Sequence, residues 1–269
     1  MPANPMATEL LRLWLAALLF AVVLMALTWR LALRLGNAGI VDIAWAAGFA
    51  PVALWFAIAG TGAPARRALI AAMVVAWSLR LGGYLLLRVS SQHPHEDRRY
   101  ARLRAGWGAN VSSNMLAFFQ LQAALLALLS LPWLLICLNA SPGLHPIEWA
   151  GALLWLLAIA GETLADLQMQ RFKADPAQRG AVCQVGLWRY SRHPNYFFEW
   201  LVWVAYFLIA LESPWGWLTL YCPALMLYFL LRVTGIPLTE QLSLQRYGAA
   251  FADYQRRTSA FVPWFRNRS

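Results

Sequence analysis

The 269-residue chain is poor in charge. Charged residues make up 13% of it and hydrophobic residues 61%, whereas soluble domains are about a quarter charged. This balance excludes a soluble two-domain protein, because the apolar runs leave no room for a large soluble domain. Acidic residues are scarcer still, with 12 Asp and Glu against 22 Lys and Arg and a formal net charge of +10. The composition is that of a membrane protein with basic loops.

The sequence also lacks the motifs of several common chemistries. Its three cysteines are far apart and odd in number, which excludes a full disulfide framework. None of the four histidines has HExxH or HxxxH spacing, so we expect no metal. There is no GxSxG elbow for a serine hydrolase. Gly60-Thr-Gly62 is followed by Pro64 and has no strand before it, so a Rossmann dinucleotide site is excluded.

Long apolar windows dominate what is there. The predicted spans lie near 8–33, 39–60, 68–89, 113–138, 147–169, 197–212 and 215–235. Each approaches the roughly 20 residues that a helix needs to cross about 30 Å of hydrocarbon. We therefore expect an all-α polytopic membrane protein with seven transmembrane helices, forming one domain over 1–269.

Basic residues predict the orientation. They concentrate in 90–112, 170–196 and 236–269, whereas 139–146 and 212–214 contain none. The positive-inside rule places the basic stretches in the cytoplasm, with the N-terminus outside and the C-terminus inside. Arg66 and Arg67 fall on the outer side and do not follow the rule. Arginine also suits anionic lipid heads or a phosphorylated ligand, and nucleic acid is not expected because the cations lie between spans.

Four acidic residues lie in or at apolar spans, namely Asp42, Glu162, Asp166 and Glu199. A carboxylate in hydrocarbon is costly unless it has a partner, so each is expected to face a polar interior. Glu162 and Asp166 are four residues apart and share one helical face, which Gln170 continues. Interhelical pairs with arginine would satisfy these acids, and so would a ligand's hydroxyl or amide groups.

The stretch 186–199 reads Gly-Leu-Trp-Arg-Tyr-Ser-Arg-His-Pro-Asn-Tyr-Phe-Phe-Glu and brings many polar groups to the start of an apolar run. With other pieces it resembles the steroid 5α-reductase superfamily, most closely bacterial membrane members of unassigned substrate. The matching pieces lie in order at 40–45 (Ile-Val-Asp-Ile-Ala-Trp), 96–104, 161–168, 186–199, 235–240, 246–248, 254 and 258–264. Together they span nearly the whole chain.

The resemblance implies a fold and a reaction. It implies a seven-helix fold in a bacterial inner membrane, whose cytoplasmic loops cap a cavity for NADPH. The reduced nicotinamide would give hydride to the β-carbon of an enone while the carbonyl is polarised, and the α-carbon would then be protonated. The substrate would be lipophilic, with a Δ4-3-oxosteroid as the reference case and other enones as alternatives.

Position by position, the resemblance also implies a cofactor site. Asn195 and Glu199 match contacts of the nicotinamide carboxamide, and Glu162 and Asp166 would meet the adenosine end. The phosphate candidates are Arg80, Tyr84, Arg88, Lys173, Arg179 and Arg192, and the other implied cofactor contacts are His193, Tyr196, Arg246 and Tyr247, the last closing over the cofactor.

The implied catalytic residues are Asp42 and Tyr84. Asp42 stands about where the eukaryotic steroid reductases carry a Glu on helix 2, and we expect it to polarise the carbonyl. To donate a hydrogen bond it must be protonated, which burial favours. The family's helix-3 tyrosine is replaced by Trp77, whose indole cannot protonate an enolate, so Tyr84 is the candidate substitute.

Two other classes of function remain open. Isoprenylcysteine carboxyl methyltransferases share the Arg-His-Pro-x-Tyr element but bind S-adenosylmethionine. Sterol C14- and C7-type reductases share it too, usually with more spans. The Val-Asp-Ile-Ala-Trp and Gly-Glu-x-x-Ala-Asp pieces favour the 5α-reductase resemblance. A non-enzymatic lipid-binding or scaffold membrane protein would explain the spans but not the four acids.

Overall fold

A computed structural model describes residues 5–92 and 95–265, and it is helical with no strand in those ranges. The all-α prediction is confirmed. The helices are α1 (Pro5–Leu35), α2 (Ile40–Ala59), α3 (Pro64–Gln92), α4 (Arg98–Trp107), α5 (Val111–Leu129), α6 (Leu131–Leu138), α7 (Pro146–Ala174), α8 (Pro194–Ala210), α9 (Tyr221–Tyr228), α10 (Ile236–Tyr247) and α11 (Ala249–Arg257). Proline opens α7 and α8, where its missing N–H costs no helical hydrogen bond.

The chain divides into two compact units. Unit 1 comprises Met1–Leu144 with Glu212–Gly216, and unit 2 comprises His145–Leu211 with Trp217–Ser269. Each has its own buried core and its own polar clusters. The expectation of one domain over 1–269 concerns how the units join and stays a prediction.

Six helices in the described ranges are long and apolar enough to cross a membrane. They are Met6–Leu35, Ile40–Ala59, Pro64–Ser91, Arg98–Leu138, Pro146–Ala174 and Gly216–Tyr247. The sixth predicted span, 197–212, corresponds to α8, whose 17 residues rise about 26 Å at about 1.5 Å each, less than the roughly 30 Å of a hydrocarbon core. The predicted polytopic membrane character agrees with this fold, whereas the count of seven is not confirmed.

Aromatic rings form the core of unit 1. Phe49 of α2, Trp77 of α3 and Trp133 of α6 are all fully buried. The ring centroid of Phe49 lies 5.3 Å from those of both Trp77 and Trp133, in tilted and edge-to-face arrangements. Such pairs stabilise a core beyond their buried area. Trp77 is therefore a packing residue at the centre of this unit.

The hydroxyl of Ser78 forms hydrogen bonds with two backbone groups of α2 near Pro51. Ser78 of α3 is fully buried; its Oγ donates to the carbonyl of Ala46 at 2.6 Å and accepts the N–H of Ala50 at 3.2 Å. Proline disrupts the helical hydrogen bonds around it, and hydrocarbon offers no water to replace them. The side chain of a neighbouring helix supplies the missing partner.

In unit 2, α7 and α8 pack closely through a glycine. A Cβ built on Gly161 would lie 2.4 Å from a ring carbon of Phe198, a distance that real side chains do not adopt. The contact therefore requires glycine at position 161, one residue before Glu162. It places the polar face of α7 directly against α8.

Arg66 and Arg67, which do not fit the predicted orientation, bind backbone carbonyls in the structure. Arg66 is fully buried, and its guanidinium donates to the carbonyls of Ser141 at 2.6 Å and Gly143 at 2.8 Å. Arg67 donates to two carbonyls at the C-terminal end of α2, both at 2.9 Å. Carbonyl groups at helix ends and turns need donors that an apolar environment does not supply. The positions of these two cations follow from the backbone carbonyls that they satisfy.

We predict that Arg66→Met destabilises the protein because its carbonyl partners would stay buried without donors. Each lost partner costs on the order of 1–3 kcal/mol, so the melting temperature in mild detergent is expected to fall by roughly 5 °C or more. Arg12→Met, at an exposed position of α1, is the matched control and should melt like the wild type. Equal melting of the two variants would show that the Arg66 contacts contribute little.

Candidate functional site

Asp42 lies in the first turn of α2 and is held by two donors from α4. Arg99 Nη2 donates to Oδ2 at 2.8 Å, and the Tyr100 hydroxyl donates to Oδ1 at 2.5 Å. The Asp42 side chain is 19% exposed and that of Arg99 30%. Both carboxylate oxygens therefore act as acceptors, at a helix end that favours negative charge.

The structure gives Asp42 two protein partners, including an ion pair with Arg99. Its expected role as the group that polarises the substrate carbonyl stays a prediction. The donors beside it are Arg99 and Tyr100, neither of which was singled out from the sequence. Both lie in the stretch 96–104, which is one of the pieces that resemble the reductases, but the sequence did not show that they bind Asp42.

Asp97 continues the ion pairs next to Asp42. Its carboxylate accepts from Arg88 at 2.5 Å and from Arg99 Nη2 at 3.1 Å, and it caps α4 through the backbone N–H of Arg99. Burial alone would raise the pKa of Asp97, but the hydrogen bonds and charge of Arg99, together with the charge of Arg88, hold this pKa below its usual value. Arg88, a predicted phosphate contact, is thus paired with a carboxylate.

A small hollow opens between these groups. It is lined by Asn37, Gly39, Asp42, Arg88, Val89, His95 and Asp97. Its volume is about 10 Å³, enough for about one water molecule and far too small for a nicotinamide ring. By itself this part of unit 1 is a closed ion-pair cluster and not a cofactor cavity.

Unit 2 contains a second cluster around Glu240 of α10, which we name the Glu240 cluster. Glu240 accepts from Arg192 Nε at 2.6 Å and Gln255 Nε2 at 2.9 Å, and its Oε1 lies 3.3 Å from His193 Nε2. Arg192 also donates through Nη1 to the carbonyls of Gln255 and Thr258. The guanidinium is surrounded by acceptors of the protein itself.

The predicted cofactor contacts Arg192, His193 and Tyr196 are therefore brought together, but around a protein carboxylate. Tyr196 stacks on His193 with ring centroids 5.3 Å apart and planes 5° from parallel. Its hydroxyl lies 3.3 Å from Thr239 Oγ1. Glu240, which binds both Arg192 and His193, was not recognised in the sequence although it ends a matching piece.

Neighbouring residues tie the stretch 186–192 to residues 259–265, which we name the C-terminal segment. Arg192 N–H donates to the carbonyl of Ser259 at 2.8 Å, and Ser191 Oγ donates to the carbonyl of Phe261 at 2.8 Å. The buried Tyr254 hydroxyl donates to the carbonyl of Trp188. The polar motif that is most prominent in the sequence thus has a structural task.

A third polar cluster is buried between α7 and α8, and we name it the Tyr206 cluster. Trp155 Nε1 donates to the Tyr206 hydroxyl at 3.1 Å, and Trp203 Nε1 donates to Glu199 Oε1 at 3.0 Å. Both Glu162 and Glu199 lie close enough to the Tyr206 phenol to interact with it electrostatically. These five side chains are all less than 10% exposed. Two predicted site carboxylates thus approach one buried hydroxyl.

Asn195 lies one turn before Glu199 on α8, at a half-buried position. Within residues 5–92 and 95–265 its side-chain amide makes no hydrogen bond, while Glu199 is held by Trp203. Residues four apart share a helical face. This face of α8 therefore offers one amide that is open to a ligand beside a carboxylate that is fixed.

The remaining predicted residues lie outside these clusters. On α3, Arg80 and Tyr84 are half-buried at four-residue steps before Arg88. On α7, Asp166 is buried one turn beyond Glu162, and Lys173 and Arg179 are exposed at and after the end of the helix. Arg246 is exposed and stacks on Tyr247, with its guanidinium carbon 5.2 Å from the ring centroid. Lys173, Arg179 and Arg246 therefore lie at the surface of unit 2.

A family model described as a protein of unknown function, DUF1295, matches residues 28–258. The chain belongs to the DUF1295 family. This match includes the Asp42 ion pairs, the Glu240 cluster and the Tyr206 cluster, and it ends just before the C-terminal segment.

The DUF1295 member has a similar protein in Schizosaccharomyces pombe, the uncharacterized protein C594.04c. The two are 26% identical over 282 residues, covering 93% of this chain and 79% of the relative. No solved structure matches.

We predict that Arg192→Met loosens the C-terminal segment of this DUF1295 member, because the guanidinium is the shared donor to Glu240 and to the carbonyls that precede the segment. Hydrogen exchange of the peptides covering 254–265 should speed up by about tenfold or more. Arg189→Met, three residues earlier at an exposed position, is the control and should leave exchange unchanged. Equal exchange in both variants would contradict this role.

A second prediction concerns pH. Burial lowers the pKa of His193 below its usual value of 6.5, although the hydrogen bond to Glu240 and the charge of Glu240 act in the opposite direction. The unfolded chain then takes up a proton at higher pH than the folded one, so stability is full above about pH 6.5 and falls as the pH drops towards the folded pKa. His193→Gln should flatten this fall in melting temperature, whereas His95→Gln, at an exposed position, should keep it. The same slope in both variants would refute the assignment.

Proposed function

We propose that this protein is a membrane reductase that uses NADPH to reduce the C=C bond of a lipophilic enone, as in the steroid 5α-reductase superfamily that its motifs resemble. The observation that carries the proposal is the face of α8, where the open amide of Asn195 stands one turn from the buried Glu199. A primary carboxamide such as that of nicotinamide has two N–H donors and one carbonyl acceptor. An asparagine amide and a carboxylate complement these groups.

Some of the predicted cofactor ligands already bind carboxylates of the protein. Arg192 and His193 are committed to Glu240, and we assign them a supporting role. Arg88 is committed to Asp97. The resemblance proposes Arg80, Tyr84, Lys173 and Arg179 as phosphate contacts and Arg246 as a further cofactor contact, and we keep these roles. Glu162 and Asp166 are kept for the adenosine end and Tyr247 for closure over the cofactor.

The reaction needs a donor for the substrate carbonyl and a proton for the α-carbon. The bound dihydronicotinamide would supply the hydride. Asp42 enters as the residue that orients Arg99, whose guanidinium would donate its remaining N–H groups to the carbonyl, and the Tyr100 hydroxyl donates to Asp42 and holds that carboxylate in place. Tyr84 is the candidate that provides the proton. An apolar surrounding strengthens such interactions by excluding water.

The proposal includes an arrangement in the membrane. We take α8 as a short seventh span, which polar ends and local thinning of the bilayer allow. The N-terminus then lies outside and the C-terminus in the cytoplasm of a bacterial inner membrane, as the loop arginines predict. The cofactor cavity would open to the cytoplasm.

Ligand-dependent melting of the purified protein tests the proposal. We expect NADPH to raise the melting temperature of the wild type. In Asn195→Leu the affinity for NADPH should fall by about 10- to 100-fold, since the lost amide leaves polar groups of the ligand unpaired. Gln241→Leu, at an exposed position of α10, should keep the wild-type affinity. When enones are then screened, a substrate should gain two hydrogen atoms. The reaction is measured by the loss of NADPH absorbance at about 340 nm and by mass spectrometry of the product.

Each other outcome overturns the proposal. Protection by S-adenosylhomocysteine, with none by NADPH, would identify a methyltransferase related to the isoprenylcysteine enzymes. Protection by neither compound would favour a non-enzymatic membrane protein. Equal NADPH affinity in Asn195→Leu and the wild type would remove α8 from the cofactor site.

A further inference from the structure

An exposed apolar patch lies where the stretch 186–192 meets the C-terminal segment. Phe265 is 80% exposed, Trp264 67%, Val262 48% and Tyr190 39%. We name these four residues the aromatic patch. Grouped apolar side chains of this exposure mark a surface that another phase or molecule covers. The clusters described above make no use of them.

The patch is held in place by the fold of unit 2. The backbone N–H of Trp264 donates to the carbonyl of Tyr190 at 3.0 Å. The rings of Tyr190 and Phe265 meet edge to face with centroids 6.5 Å apart. Behind them, Ser191 Oγ binds the carbonyl of Phe261. The aromatic rings are thus presented outward on a fixed backbone.

Its place in the chain puts the patch beside the ends of apolar helices. Gly248 alone separates α11 from α10, which ends the membrane-competent stretch Gly216–Tyr247. On the other side, α8 begins at Pro194, directly after the stretch 186–192. Tryptophan and tyrosine collect at the level where membrane helices leave the hydrocarbon. The patch is expected at this level.

The charges around the patch favour one kind of occupant. Arg189, Arg256 and Arg257 are exposed. In the described part of the chain, Asp253 pairs with Arg256 at 2.9 Å and with Arg257 at 3.1 Å, in exposed contacts that water largely screens. The surface therefore keeps a positive excess next to apolar rings, as interfacial segments on anionic lipid do. A partner protein would not require this combination.

We propose that the aromatic patch, with Arg189, Arg256 and Arg257, docks onto the anionic lipid surface of the membrane that holds the protein. Trp264 and Phe265 enter the headgroup layer, and the arginines bind lipid phosphates. The inference is independent of NADPH, and it gives the C-terminal segment a second attachment besides the Glu240 cluster.

The test places a fluorophore within the patch of the full-length protein. Val262→Cys is labelled with an environment-sensitive dye in nanodiscs of phosphatidylglycerol that carry a headgroup nitroxide lipid; the three native cysteines are buried. We expect quenching by the nitroxide lipid. It should fall by about twofold or more when Trp264→Ser and Phe265→Ser are combined, and also when zwitterionic phosphatidylcholine replaces the anionic lipid.

Trp217→Ser is the matched control, because Trp217 is 65% exposed and lies in the same unit. It should leave the quenching of the Val262 label unchanged. Quenching of the wild-type label by aqueous iodide and not by the lipid nitroxide would overturn the proposal. Efficient disulfide cross-linking of the unlabelled Val262→Cys variant into a dimer in the same nanodiscs would also overturn it, because the occupant would then be a second copy of the chain.

Discussion

Polar groups that have only the protein itself for partners hold each unit of this molecule together. In hydrocarbon no water replaces a missing donor or acceptor, so every buried carbonyl and charge must be matched by another residue. Arg66 donates to backbone carbonyls in unit 1, and Ser78 bridges the interrupted ladder of α2. In unit 2, Glu240 gathers donors from α11 and from the residues before α8. The fold is best understood as a set of such matches inside an apolar frame.

The same constraint separates residues that support the site from residues that remain available to a ligand. Asp42 and Arg192 carry the charges most suggestive of catalysis or phosphate binding, yet each is surrounded by protein partners. Neutralised groups of this kind fix geometry. Asn195 differs, because its amide finds no hydrogen-bond partner in the described part of the chain. A ligand that recognises this face must bring its own donors and acceptors.

Local pattern was enough to predict the helical class, most spans and the shared face of Glu162 and Asp166, because these follow from apolar length and from the helical period. The partners of the charged residues were not predictable in this way. Arg99 is 57 residues from Asp42, and Glu240 is 48 residues from Arg192; no periodicity links such positions. The positive-inside rule depends on the number of cations in each loop and not on the carbonyls that they bind. It therefore did not account for Arg66 and Arg67. α8 begins at Pro194 and ends at Ala210, and its 17 residues are fewer than a helix needs to cross about 30 Å of hydrocarbon.

The contact of Gly161 with Phe198 has a mechanical consequence. Because no Cβ fits between them, sliding α7 along α8 in either direction would drive a bulkier neighbour of Gly161 into the phenyl ring. The contact thus works as a register stop for the helix pair. The lengthwise offset of Glu162 relative to Glu199 is set by a missing side chain and not by any attraction between the acids. The two acidic side chains are therefore kept at a constant spacing along the helix pair.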